Sequence, residues 1–397
     1  MFSFCFIILT ICVNLCPKKI MSCEIDKSTL EAAEEAPRKL DLPEGVPPLT
    51  SLYMYISGSC NLACRHCWIS PEFQAGGNGG KHIKVEYVEK AIREAKPLGL
   101  GSVKLTGGEP TLHPKFRDIV SLIDDEGLNI QIETNGTLID RKLAQFLLQK
   151  KHVSFISVSL DGVDAKTHEY LRVVDGSFDQ AITGIKNLVD QGYQPQLICT
   201  LYRGNVSQID ELIELAENLG CGSVKFNNVQ QVGRGDKFAK EQGLKVPEII
   251  DIFHHIEKEL RPASKIRVHF DIPFAFYPIK KLINDSLTTC TVRNILGILA
   301  GGELSLCGIG VTIPKLIYGH VEKDSLSEVW CNHSGLVQLR EQIPGKLEGI
   351  CGRCLHRDLC LGSCVANNFH VSGKLNAPYQ FCDRAEALGL FPEYRKK

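Results

Sequence analysis

Three cysteines four and three residues apart, Cys60-Asn-Leu-Ala-Cys64-Arg-His-Cys67, follow the apolar run Leu52-Tyr-Met-Tyr-Ile-Ser57. A loop leaving a strand can bring all three thiols to one metal centre, yet three thiolates leave a four-coordinate site one ligand short. Structural zinc takes a closed set of four donors, whereas iron–sulfur clusters are held by cysteine runs of this kind. After another strand-like run comes Thr106-Gly107-Gly108-Glu109-Pro110. Its paired glycines allow the backbone to approach a ligand closely, and Glu109 supplies an acceptor.

From Leu52 to Asp271 the chain alternates strand-like and helical segments. Runs rich in Val, Ile, Leu, Phe or Tyr lie at 52–57, 102–106, 129–134, 153–160, 196–202 and 223–229. Between them, Val85, Val88, Ile92 and Ala95, or Ile182, Ile185, Leu188 and Val189, fall on one helix face. Gly99, Gly127, Gly192 and Gly220 stand where helix C-caps belong. Such βα units predict an α/β fold with a parallel sheet, helices outside it, and functional residues at the strands' C-terminal ends. The loop Gly76-Gly-Asn-Gly-Gly80 carries no phosphate fingerprint and reads as a flexible insertion.

The 397 residues suffice for one large α/β domain and a smaller one. With 45 basic against 46 acidic side chains, charge gives no reason to expect a nucleic-acid partner. Seventeen cysteines exceed chance. A core of this size needs no staples, so they point to metal ligation in a reducing, anaerobic cytoplasm and not to disulfides. The apolar run Phe2–Cys16 is followed, not preceded, by Lys18 and Lys19. That order is wrong for a signal peptide, and the run is short for a membrane span. Either Met21 is the true start of a cytoplasmic protein, or the run is a weak anchor. Residues 1–48 read as a tail.

The CxxxCxxC spacing, with Thr106–Pro110 after it, resembles the radical S-adenosylmethionine (SAM) superfamily, and the likeness covers residues 50–385. It implies a partial (β/α)6 barrel, similar to part of a TIM barrel. Cys60, Cys64 and Cys67 would bind a [4Fe-4S] cluster whose fourth iron SAM completes. Gly107, Gly108 and Glu109 would meet the amino group of SAM's methionine, and Thr134 and Asn135 would line the barrel mouth. Alternation puts Ser157, Ser159 and Asp161 on one strand face, where Ser159 and Asp161 would meet ribose hydroxyls and substrate. The plain alternative for these residues is a capped strand end. Arg172 resembles a family arginine that faces SAM or substrate; otherwise it is a surface arginine. Cys199 is either a hydrogen-atom donor pointing into the barrel or a small buried hydrophobe. Cys221 belongs at the opposite end and is assigned no chemistry.

Beyond Asp271-Ile-Pro-Phe-Ala-Phe-Tyr-Pro278 the cysteines crowd. The series Cys290, Gly302, Cys307, Cys351, Cys354, Cys360, Cys364 and Cys382 resembles the SPASM domain that follows some radical SAM cores. This implies two auxiliary [4Fe-4S] clusters, with zinc the alternative for Cys351–Cys364 taken alone. Family topology assigns Cys351, Cys354, Cys360 and Cys382 to an outer cluster and Cys290, Cys307 and Cys364 to an inner one. The inner cluster's fourth iron is open, or closed by Asp271 or His269, or by Cys221 or Cys331. The implied layout is a tail (1–48), a radical SAM core (49–271), a linker (272–289) and a SPASM domain (290–397). The implied activity is reductive cleavage of SAM to a 5′-deoxyadenosyl radical, which takes hydrogen from a peptide or protein substrate, as in thioether or carbon–carbon crosslinking. A reductant such as flavodoxin or ferredoxin, and a separate leader-binding protein, would be partners. The alternatives are a sulfatase-type maturase, a tetrapyrrole- or haem-modifying enzyme, and a non-catalytic iron–sulfur electron carrier.

Overall fold

In β1 (Ser51–Ser57), Leu52, Met54 and Ile56 are fully buried, while Tyr53 between them points the other way. That alternation repeats around the sheet and creates two unlike faces. The computed structural model describes residues 40–74, 80–284 and 290–397. The expectations for Phe2–Cys16, Met21 and positions 76–79 lie outside these residues. Asp41–Lys397 form one compact unit.

The expected strands are all present. After β1 come β2 (Ser102–Gly107), β3 (Asn129–Thr134), β4 (Val153–Ser159), β5 (Gln196–Leu201) and β6 (Ser223–Asn228), each parallel to the one before. The connections carry α1 (Val85–Ala95), α2 (Phe116–Asp125), α3 (Arg141–Leu148), α4 (Ala165–Arg172), α5 (Ser177–Asp190) and α6 (Ile209–Leu219). The four expected capping glycines all have left-handed φ: Gly99 at 103°, Gly127 at 70°, Gly192 at 92° and Gly220 at 83°.

The sheet is larger than six strands. β7 (Arg267–Phe270) adds in parallel beside β6, and β8 (Ile295–Ile298) lies parallel to β1 on its free side. β9 (Glu303–Ser305) and β10 (Ile317–His320) follow antiparallel, giving the order β10-β9-β8-β1-β2-β3-β4-β5-β6-β7. The start of the cysteine-rich segment is thus built into the barrel sheet, and position 290 is not a sheet boundary. Tertiary bonds hold β8 there: Thr50 N donates to Asn294 O at 2.9 Å, and Asn294 Nδ2 donates to Pro48 O at 2.9 Å. A strand of four residues gives too few alternations to be read from sequence.

Leu52, Leu105, Ile132, Val158, Leu197 and Val224 pack with Ile92, Ile119, Leu147, Ile185 and Leu212 of the helices in one core. The opposite face is polar. Register aligns Tyr53 with Lys104 and Gln131, Glu133 with Ser157, and Ser159 with Ile198, Lys225 and His269. Lys104 Nζ lies 2.8 Å from Glu133 Oε1 and 4.5 Å from the Tyr53 ring centroid. Burial alone would raise the Glu133 carboxyl, but Lys104 and, more weakly, Lys225 hold it below the usual range. Three strand spacings separate β3 from β6, about 14 Å in a flat sheet. The Lys225 charge is nevertheless felt at Glu133, so the two side chains converge on the polar face. Among the described residues no helix is long and apolar enough to cross a membrane.

Phe226 is 0% exposed in the core between sheet and helices. Phe226→Ala should lower unfolding free energy by about 3–5 kcal/mol, measured by urea denaturation. A loss under about 1 kcal/mol would contradict this packing.

Candidate active site at the barrel mouth

The loop that follows β1 is fastened from several elements. Ala63 N donates to Arg172 O at 3.2 Å, and Arg65 N donates to Leu171 O at 2.9 Å, tying it to the end of α4. At the start of α7 (Arg234–Gln242), Arg234 N donates to Cys67 O at 3.0 Å and Arg234 Nε to Cys64 O at 2.9 Å. The turn after β2 presses on it as well: Gly108 N donates to Ser57 O at 2.7 Å and Glu109 N to Ser59 O at 2.9 Å. Gly107 has φ +128°, and a Cβ on Gly108 would sit 2.0 Å from Ser59 O. The close approach these glycines permit is therefore to the cysteine loop itself, where a ligand was expected.

Cys60 and Cys64 are buried, and Cys67 is half-buried beside them. Asn135 Nδ2 donates to Cys60 Sγ at 3.8 Å, and Leu62 N does so at 3.4 Å. An Arg172 guanidinium N–H donates to Cys64 Sγ at 3.6 Å. Burial, then the charges of Glu109 and Cys64, push the Cys60 thiol up to about 12. Burial raises Cys64 too, with Arg172 opposing it.

Several expected ligand contacts are engaged within the protein. Glu109 is 0% exposed. Its Oε1 accepts from Thr111 N, Thr111 Oγ1 and Thr134 Oγ1 at 3.1, 2.6 and 2.7 Å, and its Oε2 accepts from Asn135 N at 2.7 Å. It clamps the ends of β2 and β3 together and presents no open acceptor. Asp161, also 0% exposed, accepts from Arg172 Nε at 2.5 Å and from Thr200 N at 2.8 Å. Arg172 is neither at the surface nor free in the lumen, because its charge is used between Asp161 and Cys64. Cys199 faces the helices: it pairs in register with Phe226, and its Sγ accepts from Asn205 Nδ2 at 3.6 Å. Alternation gives the lumen positions to Ile198 and Thr200, so Cys199 does not point into the barrel. Ser159 does, and its hydroxyl has no hydrogen-bond partner among the described residues.

The later cysteines sort into two groups. Cys351, Cys354, Cys360 and Cys382 line one small cavity with Pro273 and Phe391. Cys382 is hydrogen-bonded to Cys351, which lowers Cys351 and raises Cys382. Cys290, Cys307 and Cys364 lie within electrostatic range of one another, and Asp271 is close to Cys290 and Cys364. Of the groups considered for the fourth position, only Asp271 acts electrostatically on Cys290 and Cys364. His269 faces Arg261, Arg267 and Lys225; Cys331 faces Arg340 and Glu328; Cys221 is in the apolar core. Tyr379, between the groups, feels Asp271, Cys364, Cys382 and Cys360. All thirteen described cysteines are free thiols, and no three His, Cys, Asp or Glu among the described residues could hold a single metal ion. A four-iron cluster takes its ligands at separate corners, so its thiols stand farther apart.

Residues 54–216 match the Radical SAM superfamily. The chain carries a radical SAM domain. Among curated proteins it is 27% identical over 340 residues to the AdoMet-dependent heme synthase of Methanosarcina barkeri, covering 82% of this chain and 94% of that one. It is 27% identical over 368 residues to the mycofactocin maturase MftC of Mycobacterium tuberculosis, covering 88% and 85%. Among solved structures, Streptococcus suis SuiB bound to its precursor peptide SuiA superposes with a TM-score of 0.69 at 19% identity, covering 94% of this chain and 85% of that chain. The structure of native anSMEcpe with bound AdoMet gives 0.65 at 18% identity, covering 87% and 96%. These two likenesses show the same fold.

A radical SAM domain works with a [4Fe-4S] cluster and SAM, and the donor set fits. Three thiols from one loop leave one iron for a ligand that is not protein, and the Arg172 cation beside Cys64 offsets thiolate charge. Sequence reasoning missed the Gly233-Arg234-Gly235 anchor. Its signal was two glycines flanking an arginine just after a strand, where Cβ atoms would meet Trp68 O at 2.5 Å and Gln230 O at 2.4 Å.

Removing Asp161 leaves the Arg172 charge buried and unpaired. Asp161→Ala should cost about 3–5 kcal/mol and loosen the cysteine loop, seen as lower stability and iron content. Unchanged stability with weakened SAM use would restore the ligand-contact reading. A second expectation concerns pH. Asp161 N donates to His168 Nδ1 at 3.2 Å, and burial, then Arg172, push His168 down to about 4. Its unfolded value is about 6.5, so the unfolded chain binds the extra proton between those values. Stability should therefore fall as pH drops from about 6.5 to about 4, and His168→Asn should remove about one proton from that slope. Denaturant titrations across the window check this, and an unaltered slope would refute it.

Proposed function

We propose that this enzyme is a peptide- or protein-modifying radical SAM maturase with two auxiliary iron–sulfur clusters. The observation that carries the reading is the placement of Cys60, Cys64 and Cys67 on a clamped loop at the mouth of a polar lumen. In this reading those thiols hold the SAM-cleaving cluster. Ser159, Thr134, Asn135 and the backbone of Gly107–Glu109 contact SAM. Cys351, Cys354, Cys360 and Cys382 hold the outer cluster. Cys290, Cys307 and Cys364 hold the inner one, with Asp271 as its oxygen ligand. When bound, the first cluster and SAM supply one-electron reductive cleavage to a 5′-deoxyadenosyl radical that abstracts hydrogen from substrate. The chain's own share is to orient and to exclude water. Glu109 locks the β2 and β3 ends, Arg234 and Arg172 hold the cysteine loop, and the Lys104–Glu133 pair shapes the lumen floor. A small electron carrier such as flavodoxin or ferredoxin supplies reductant.

The likeness to MftC and to the peptide-bound SuiB supports a peptide substrate. Tetrapyrrole modification is the second reading, favoured by the likeness to the heme synthase. Reconstituted protein given SAM, dithionite and either a peptide encoded beside it or a propionate-bearing porphyrin separates them by which substrate changes mass.

Changing Cys60, Cys64 and Cys67 together to Ala should abolish 5′-deoxyadenosine formation and remove about four irons per chain. Surviving SAM cleavage would refute the assignment of the first cluster.

A further inference from the structure

A cavity of about 960 Å³ opens where β5 and β6 end. It lies at the C-terminal ends of these parallel strands, the same end of the sheet from which the cysteine loop leaves β1. Leu201 and Asn228, the last residues of those strands, are in its wall, and the wall runs on through Val229–Gln231 toward Arg234, whose amide holds Cys67 O. The facing wall belongs to Tyr379 and to α9 (Gln380–Ala387), once α8 (Val246–His255) is counted at the cavity's base. The space therefore lies between the ends of β5 and β6 and the helix that carries Cys382.

Its lining chemistry is selective. Arg203, Lys240, Lys245 and Arg384 line it, with no Asp or Glu. Arg203 is bound to Glu248 at 2.8 Å and Lys240 to Asp236 at 2.7 Å. Lys245 and Arg384 have no ion pair among the described residues, and Arg384 donates only to Gln380 Oε1, at 3.2 Å. Glu248 feels the Lys245 charge, but four cations and no carboxylate line this concave surface, and such a lining attracts an anionic ligand. The side-chain amides of Gln230 and Gln231 also lack partners among the described residues. A carboxamide offers one acceptor and two donors, which matches the alternating carbonyls and N–H groups of an extended main chain. Val229, Leu244 and Phe381 supply apolar patches between these polar groups.

We infer that this cavity receives an extended acidic segment of the peptide substrate on its way into the barrel, an inference that rests on the peptide reading proposed above. The acidic side chains meet Lys245 and Arg384, the main chain meets Gln230 and Gln231, and the residue to be modified reaches inward past Asn228 to the lumen. A porphyrin's propionates would satisfy the cations but leave both glutamine amides unmatched.

The test uses the full reconstituted chain and fluorescence anisotropy. The probes are a labelled peptide alternating glutamate and valine and its lysine–valine counterpart. The acidic peptide should bind saturably and the basic one should not. Lys245→Glu with Arg384→Glu should weaken the acidic peptide about tenfold or more, and Gln230→Ala with Gln231→Ala should weaken it with little salt dependence. Iron content and far-UV circular dichroism check that each variant is folded. Equal binding of both peptides, or binding indifferent to the charge reversal, overturns the groove and leaves the peptide reading standing. Binding of coproporphyrin with no peptide binding, while SAM is still cleaved, overturns both.

Discussion

A buried ion pair holds the reactive loop in place. Arg172 spends one guanidinium edge on Asp161 and turns another to Cys64 Sγ, while its carbonyl accepts from Ala63 N. One residue thus ties the end of α4 to the middle of the cysteine loop by charge and by backbone. A buried pair of this kind adds little net stability, because both ions lose water. What it secures is position. With both partners enclosed, any shift of the loop would expose or separate a charge in a low-dielectric setting, so the thiols keep one arrangement before any metal arrives. His168 and Thr200 N complete the shell around Asp161, and burial keeps that histidine neutral.

The second constraint is the inversion of polarity in the sheet. The helices take the apolar side chains, so the inside is left to Lys104, Glu133, Ser157, Ser159 and Lys225. These groups must pair with one another or with a ligand. Lys104, Glu133 and Thr106 pair among themselves, and Ser159 and Lys225 stay open. A substrate chamber follows from that asymmetry. β8 extends the sheet past β1 and brings Cys290 and Cys307 to the same side as Tyr53, whose phenol feels both thiols, and Tyr55, whose phenol feels Cys307. The later cysteines are thereby delivered to the barrel by strand pairing and not by a flexible tether.

The segment Thr106–Pro110 shows how a motif can be legible while its local physics is not. Two glycines and a glutamate pointed to a ligand. In the folded chain the glycines make room for Ser57 O and Ser59 O, and Glu109 serves Thr111, Thr134 and Asn135. Apart from Thr111, which is a local cap contact, these partners come from strand ends far apart in sequence, so no spacing rule reveals them. The same holds for Asp161, whose partners Arg172 and Thr200 lie on α4 and β5.

From its residues alone the chain determined the six βα units, the four capping glycines and the cysteine spacings that point to metal ligation. Each of these rests on local periodicity, φ preference or donor spacing within a few residues. Only the tertiary structure decided which way the chemistry faces. Cys199 turned to the helices because its strand's alternation was set by neighbours on both sides. Asp271 came within electrostatic range of Cys290 and Cys364 because β7 and β8 add on opposite sides of the six-strand sheet. The four-residue strands that achieve this carry too little pattern to be read in isolation, and they form because long-range pairing and burial make up for what local propensity lacks.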